Sequence, residues 1–101
     1  MTAAERIVGV AILLPFRTDV HDARRIFAAA PAPARHHHVL HQLWMMRRDL
    51  RNLDQGQGFV TDTGRYVDRA EAWTIAALAN QLLDRAPTDG RGGRLYSEDV
   101  W

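Results

Sequence analysis

The 101-residue chain contains no cysteine, so disulfides, thiolate nucleophiles and cysteine-ligated zinc are excluded at the outset. Lysine is missing as well: all thirteen cations are arginines, set against twelve acids for a net charge of +1. That balance excludes an acidic nucleic-acid mimic and argues against general nucleic-acid binding. Each cation that is present carries a planar fork suited to phosphate. Long hydrophobic runs are also lacking. The longest, Ile7 to Phe16, is ten residues, half of the roughly 20 that a bilayer span requires. Arg6 is the only early cation and no small-x-small cleavage site directly follows that run, which fits a signal peptide poorly. The expectation is a cytoplasmic protein with no membrane partner. With 47% apolar and 25% charged residues, the chain reads as one globular domain over residues 1–101.

Within that domain the apolar pattern changes period several times. Ile7 to Leu14 is β-branched and apolar at successive positions, the mark of a strand covered on both faces. One cover is the protein's own helix; the other is expected to be a partner chain. Pro15 stops the ladder, Arg17 to Asp22 reads as a loop, and Arg25 to Ala29 reads as a return strand, with a helix over Asp22–Ala30 as the alternative. Pro31-Ala32-Pro33 breaks the chain and opens a helix near Ala34. Its apolar stripe is His36, Val39, Leu43, Met46 and Leu50, flanked by Leu40, with His37, His41, Trp44 and Arg48 on the shoulder. Gly56 and Gly58 lie in a loop, and Phe59–Thr61, Asp62-Thr63-Gly64 and Arg65–Val67 form a second hairpin. Asp68 with Glu71 is a capping box that starts a second helix, whose stripe runs Ala72, Ile75, Ala76, Ala79, Leu82, Leu83. Trp73 lies off it, and Pro87 with Gly90–Gly93 ends the element. The predicted fold is α+β: an antiparallel sheet from two β-hairpins with two α-helices, in ββαββα order.

Candidate chemistry gathers at the helix starts. His37 and His41 share a helix face, but the zinc-protease pattern wants Glu directly after the first histidine, and His38 stands there. No metal or other cofactor is implied. Anion binding fits the same cluster better. Arg35 supplies a forked donor, His36 and His37 supply ring donors at a helix N-terminus, and Trp44 supplies a flat face for stacking. The alternative is a polar helix shoulder with His36 in the core. Arg65, Tyr66 and Arg69 gather at the second helix and repeat the pattern of cation and ring. In the final segment Tyr96, Val100 and Trp101 are expected to pin the chain to the body while Glu98 and Asp99 stay wet. Ser97 has no nucleophile-elbow context, so catalysis is the weaker class.

Four segments also carry a resemblance: Pro33 to His37, Gln57 to Thr61, Gly64 to Ala72 and Leu95 to Trp101. Together they resemble a pattern found in a group of small bacteriophage and prophage proteins. The long loop from Phe16 to Arg24 departs from that pattern, as does His38, where the group often has an acid. The resemblance implies a protein of the infected cell's cytoplasm. By analogy of role, it implies counter-defence by sequestering a small anionic nucleotide signal, such as a cyclic nucleotide or a cyclic ADP-ribose species. The expected ligand set is Arg35, His36, His37, Arg65 and Arg69 for phosphate, with Trp44, Tyr66 or Trp101 stacking. The apolar strand suggests a homo-oligomer. A protein-binding inhibitor of a host factor, using Trp73, Trp101 and that strand, is the second reading. A metal-dependent hydrolase using the histidine cluster is the third.

Overall fold

The computed structural model describes residues 5–14, 27–46, 53–83 and 93–101. The loop Phe16–Arg24, the positions Arg25, Ile26, Arg48 and Leu50, and the stretch around Pro87 lie outside the described residues.

Strand β1 (Ile7–Leu13) pairs antiparallel with β2 (Phe27–Pro31) on one side and with β3 (Gln57–Thr61) on the other. Beyond β3 lies β4 (Tyr66–Asp68), so the sheet order is β2-β1-β3-β4. Helices α1 (His36–Met46) and α2 (Arg69–Leu78) follow the two hairpins, which is the expected ββαββα order. The return strand was one of two readings for this region; Phe27 to Pro31 is strand, not helix.

Both helices pack on one face of the sheet. Their cover is built from Val39 and Leu43 of α1 and Ala72, Ile75 and Ala76 of α2, set over Ile7, Val10, Ile12, Phe59 and Val67. Three of these strand residues come from β1 because its register shifts between Ile7 and Gly9, opposite Thr61 and Val60. Strict alternation would set Ile7 on the opposite face from Val10; the extra residue at Val8 restores it to the helix side. Leu95, from the final segment, completes this core.

The other face is closed differently. Ala11 of β1 has no exposed surface, and Gly58 sits beside it on β3 in the pairing register. Across this floor of small residues the Phe27 and Tyr66 rings meet at 5.9 Å between centroids. The Tyr66 hydroxyl donates to the Gly56 carbonyl at 3.0 Å. A Cβ on Gly58 would stand 2.6 Å from the Tyr66 ring and collide with the Val67 carbonyl, so only glycine admits the ring here. The chain's own aromatics thus cover β1 where a partner chain was expected.

Helix α2 is shorter than its apolar stripe suggested. Asp68 caps its start as expected, accepting from the Glu71 backbone N–H at 2.8 Å. Its end comes at Leu78, so Ala79 is the cap and Leu82 and Leu83 lie beyond the helix. Asn80 takes the left-handed conformation, φ 57°, and the Gln81 N–H returns to the Ala76 carbonyl at 2.8 Å. The turn frees the Gln81 side chain to bond the start of β1. Its Oε1 accepts from the Ile7 N–H and its Nε2 donates to the Ile7 carbonyl, both at 2.8 Å. Met46 is a second correction. It belongs to the predicted α1 stripe, yet it is 74% exposed.

Gly58→Ala should lower stability by about 2–4 kcal/mol, the cost of overpacking against backbone. In a domain of this size that is a fall in Tm of roughly 10 °C or more, read by circular dichroism.

Candidate functional site

The four segments that carry the phage resemblance come from the start of α1, the second hairpin with the start of α2, and the final segment, and they meet in space. His36 opens α1 and reaches β3: its Nε2 lies 2.7 Å from the Gly58 carbonyl, which can only accept, so Nε2 carries the proton. The ring meets Phe59 edge-on at 4.9 Å. Arg69, the first residue of α2, donates to the Leu95 carbonyl at 2.6 Å and to the Gln57 side-chain oxygen. Its guanidinium carbon lies 4.3 Å above the centre of the Tyr96 ring. Arg35 donates to Ser97 Oγ at 3.2 Å, and the Trp101 indole N–H donates to the Ala34 carbonyl at 2.8 Å. Residues 93–101 are thereby strapped across the starts of both helices.

Charge in this junction is set by burial. Loss of water pushes the His36 pKa down to about 4, and the nearby Arg69 charge adds to that against the Gly58 hydrogen bond. His36 is therefore neutral at pH 7 and sits in the core, the alternative weighed for it, rather than among surface donors. Arg69 is pulled below the usual arginine range by burial first, with Arg94 adding and Tyr96, Tyr66 and Asp99 opposing. Asp99, expected to be wet, is 1% exposed. Its Oδ2 accepts from the Tyr96 N–H at 2.9 Å and its carbonyl accepts from the Leu83 N–H at 2.8 Å, so burial leaves its polar atoms satisfied. Glu98 is exposed, as expected.

Arg65 lies in a separate cluster. Its Nε and Nη2 grip Glu5 at 2.8 and 2.7 Å, and Nη1 reaches Glu71 at 2.7 Å. Thr63 donates to the same Glu5 carboxylate at 2.7 Å. The Arg65 hydrogen bond, aided by Thr61 and Thr63, holds the Glu5 pKa down at about 2. A guanidinium engaged by two carboxylates has little left for a phosphate. Tyr66 lies flat over Gly58, and Trp101 packs edge-on against Phe59 at 6.3 Å. Trp73 is also packed against the core, so two proposed protein-binding hot spots turn inward.

Two of the expected residues remain on the surface of α1. His37 is exposed, with its ring 4.1 Å from that of His38, and Trp44 is 53% exposed, with its ring 6.5 Å from His41. Seven residues separate His37 from Trp44, about 10 Å along the helix, so they occupy different parts of it. Sequence reasoning passed over four partners in these clusters: Glu5, Gln57, the Ser97 hydroxyl and the Gly58 carbonyl. Gln57, Gly58 and Ser97 lie within the resemblance segments, the signal that could have found them. Among the described residues no three of His, Cys, Asp or Glu are grouped to hold a metal ion, and no helix is long and apolar enough to cross a membrane.

A four-stranded antiparallel sheet with two helices on one face, strapped by its final segment, is the class the geometry defines: a small α+β protein. A family model, that of the phage T4 y16D protein, matches residues 6–101. The chain belongs to that phage protein family. No curated protein and no solved structure matches it.

The buried His36 makes stability depend on pH in a defined window. An unfolded histidine titrates near pH 6.5 and the folded one near 4, so between these values the unfolded state binds more protons. Stability is complete above pH 6.5 and falls as the pH drops toward 4. Between pH 7.5 and pH 5 the loss from this group should be about 2 kcal/mol, measured by urea unfolding. His36→Gln, less stable at pH 7.5, should abolish that slope. The Glu5 contribution is lost lower still, as the pH falls from the unfolded value of 4.5 toward the folded value of about 2.

Proposed function

We propose that the protein acts by binding rather than by catalysis, and that its ligand is a small anion of nucleotide type. The site is the corner where α1 meets the final segment. The observation that carries this reading is the placement of Arg35. It stands half-buried at the start of α1, with Ser97 engaging one of its N–H groups. A guanidinium has five such donors, which leaves a fork to meet phosphate. The rings of His37 and His38 are exposed within the first turn, where His38 Nδ1 accepts from the Arg35 backbone N–H at 2.8 Å, and Tyr96, stacked on Arg69, directly precedes the Ser97 that Arg35 engages. No acid occupies the first turn of α1.

The ligand set is narrower than the one read from sequence. Arg35 and His37 remain phosphate contacts, with Arg69 holding Tyr96 as a ring beside them. His36, Arg65, Tyr66 and Trp101 are fold-bearing, and Trp44 belongs to another part of α1. A phage protein that bound a nucleotide signal without turning it over would withdraw it from the host by mass action.

A thermal-shift panel of cyclic mononucleotides, cyclic dinucleotides and cyclic ADP-ribose tests the reading, since a ligand of the native state raises its Tm. Arg35→Ala should weaken binding about 10- to 150-fold, the worth of one charge-assisted contact, and Arg35→Lys should recover only part of it. Arg65→Ala should lower Tm and leave affinity unchanged. A panel that leaves the wild-type Tm unmoved would rule the reading out.

A further inference from the structure

Residues 95–101 join no strand of the sheet, and the turn Ser97–Asp99 is their one helical element. Their internal backbone bonds are local: the Asp99 N–H reaches the Tyr96 carbonyl, and the Val100 and Trp101 N–H groups reach the Ser97 carbonyl. Among the described residues, two backbone bonds cross to the body. The Leu95 N–H donates to the Arg69 carbonyl at 2.9 Å, and the Leu83 N–H donates to the Asp99 carbonyl at 2.8 Å. Side chains of Arg69, Arg35 and Trp101 supply the other polar ties. A segment bonded mainly within itself opens as a unit, at lower cost than the sheet.

Arg35 stands where that unit closes. Trp101 donates to the Ala34 carbonyl and Ser97 accepts from Arg35 Nη1, so the segment holds two successive residues at the start of α1. The Arg35 backbone is fixed separately, through its N–H to His38 Nδ1. Among the described residues, the buried Ser97 hydroxyl is what orients the guanidinium. We infer that the final segment is a latch held shut by the bound anion: docking of residues 95–101 and filling of the Arg35 fork form one coupled equilibrium, with Ser97 as the link. The inference rests on the anion reading of this corner and adds its regulation.

The sign of the coupling follows from the donors. Ser97 occupies an N–H of Nη1, and the Nε–Nη2 edge is a complete fork by itself. Hydroxyl and anion therefore bind one guanidinium together and do not compete for it. With the latch open, Arg35 is a long, freely rotating side chain, and ordering it opposes binding. With the latch closed, that ordering is already done. The closed state thus binds the anion more tightly, and a ligand shifts an equilibrium only through such a difference. Reciprocity requires the anion to favour closure by the same factor.

Hydrogen exchange at the amides of Leu95, Asp99, Val100 and Trp101, read by NMR on the whole chain, tests the inference with inorganic phosphate as the probe. Phosphate is titrated at constant ionic strength, and Arg35→Ala reports what the salt does without the fork. In the wild type, phosphate should slow these amides about 10-fold beyond any change in β1 and β3, which report opening of the sheet. Ser97→Ala, with an unchanged circular dichroism spectrum, should weaken phosphate binding by the same factor and lose the slowing. Ser97→Thr keeps the hydroxyl and should retain both. Arg35-dependent binding that slows none of these amides overturns the inference and leaves the anion reading in place. So does a Ser97→Ala protein that binds phosphate as tightly as the wild type. A wild type without Arg35-dependent phosphate binding also overturns it, whereas the anion reading stands or falls with the nucleotide panel.

Discussion

The guanidinium of Arg69 holds together parts of the chain that lie far apart in sequence. It begins α2, accepts the Tyr96 ring against its face, and donates to Leu95 and Gln57. Through these contacts the end of the chain, the first residue of β3 and the second helix share one point. A cation can be kept half-buried there because its planar fork is matched by a carbonyl, an amide oxygen and a ring, each a partner without formal charge. An ammonium offers neither the fork nor the flat stacking surface. The absence of lysine from the chain, unremarkable as composition, is consistent with a structure that uses its cations as geometric connectors.

Much of the architecture was legible because it depends on local signals. The Asp62-Thr63-Gly64 turn, the Asp68–Glu71 cap and the change from strand to helix around them depend on neighbours a few residues apart. The end of α2 was not legible. Ala79, Leu82 and Leu83 continue the apolar spacing, and the helix stops because Asn80 turns left-handed and Gln81 bonds Ile7, a residue 74 positions away. Asp99 was misread for a related reason. An acid in a polar segment is expected at the surface, and only the fold supplies the backbone N–H of Tyr96 that satisfies it inside.

The candidate site was legible as a list of residues more than as a constellation. Arg35, His36 and Arg69 do gather near one corner, but composition cannot tell a cation awaiting a ligand from one already engaged. Glu5 settles the matter for Arg65 across 60 residues of sequence. His36 illustrates the opposite case. Its place in the apolar stripe pointed to the core, and the Gly58 carbonyl supplies the partner a buried imidazole requires.

The segment after α2 works as a buckle between the two ends of the chain. Ala79 receives Arg6 at 3.4 Å, Gln81 bonds Ile7 on both backbone atoms, and the Leu83 N–H reaches Asp99. Few residues are involved, yet they tie the first strand to the last turn. Opening the first strand breaks bonds to Ala79 and Gln81, and opening the last turn breaks the bond to Leu83, all within one five-residue stretch. The two ends therefore belong to one cooperative unit, with fraying at one communicated directly to the opposite end.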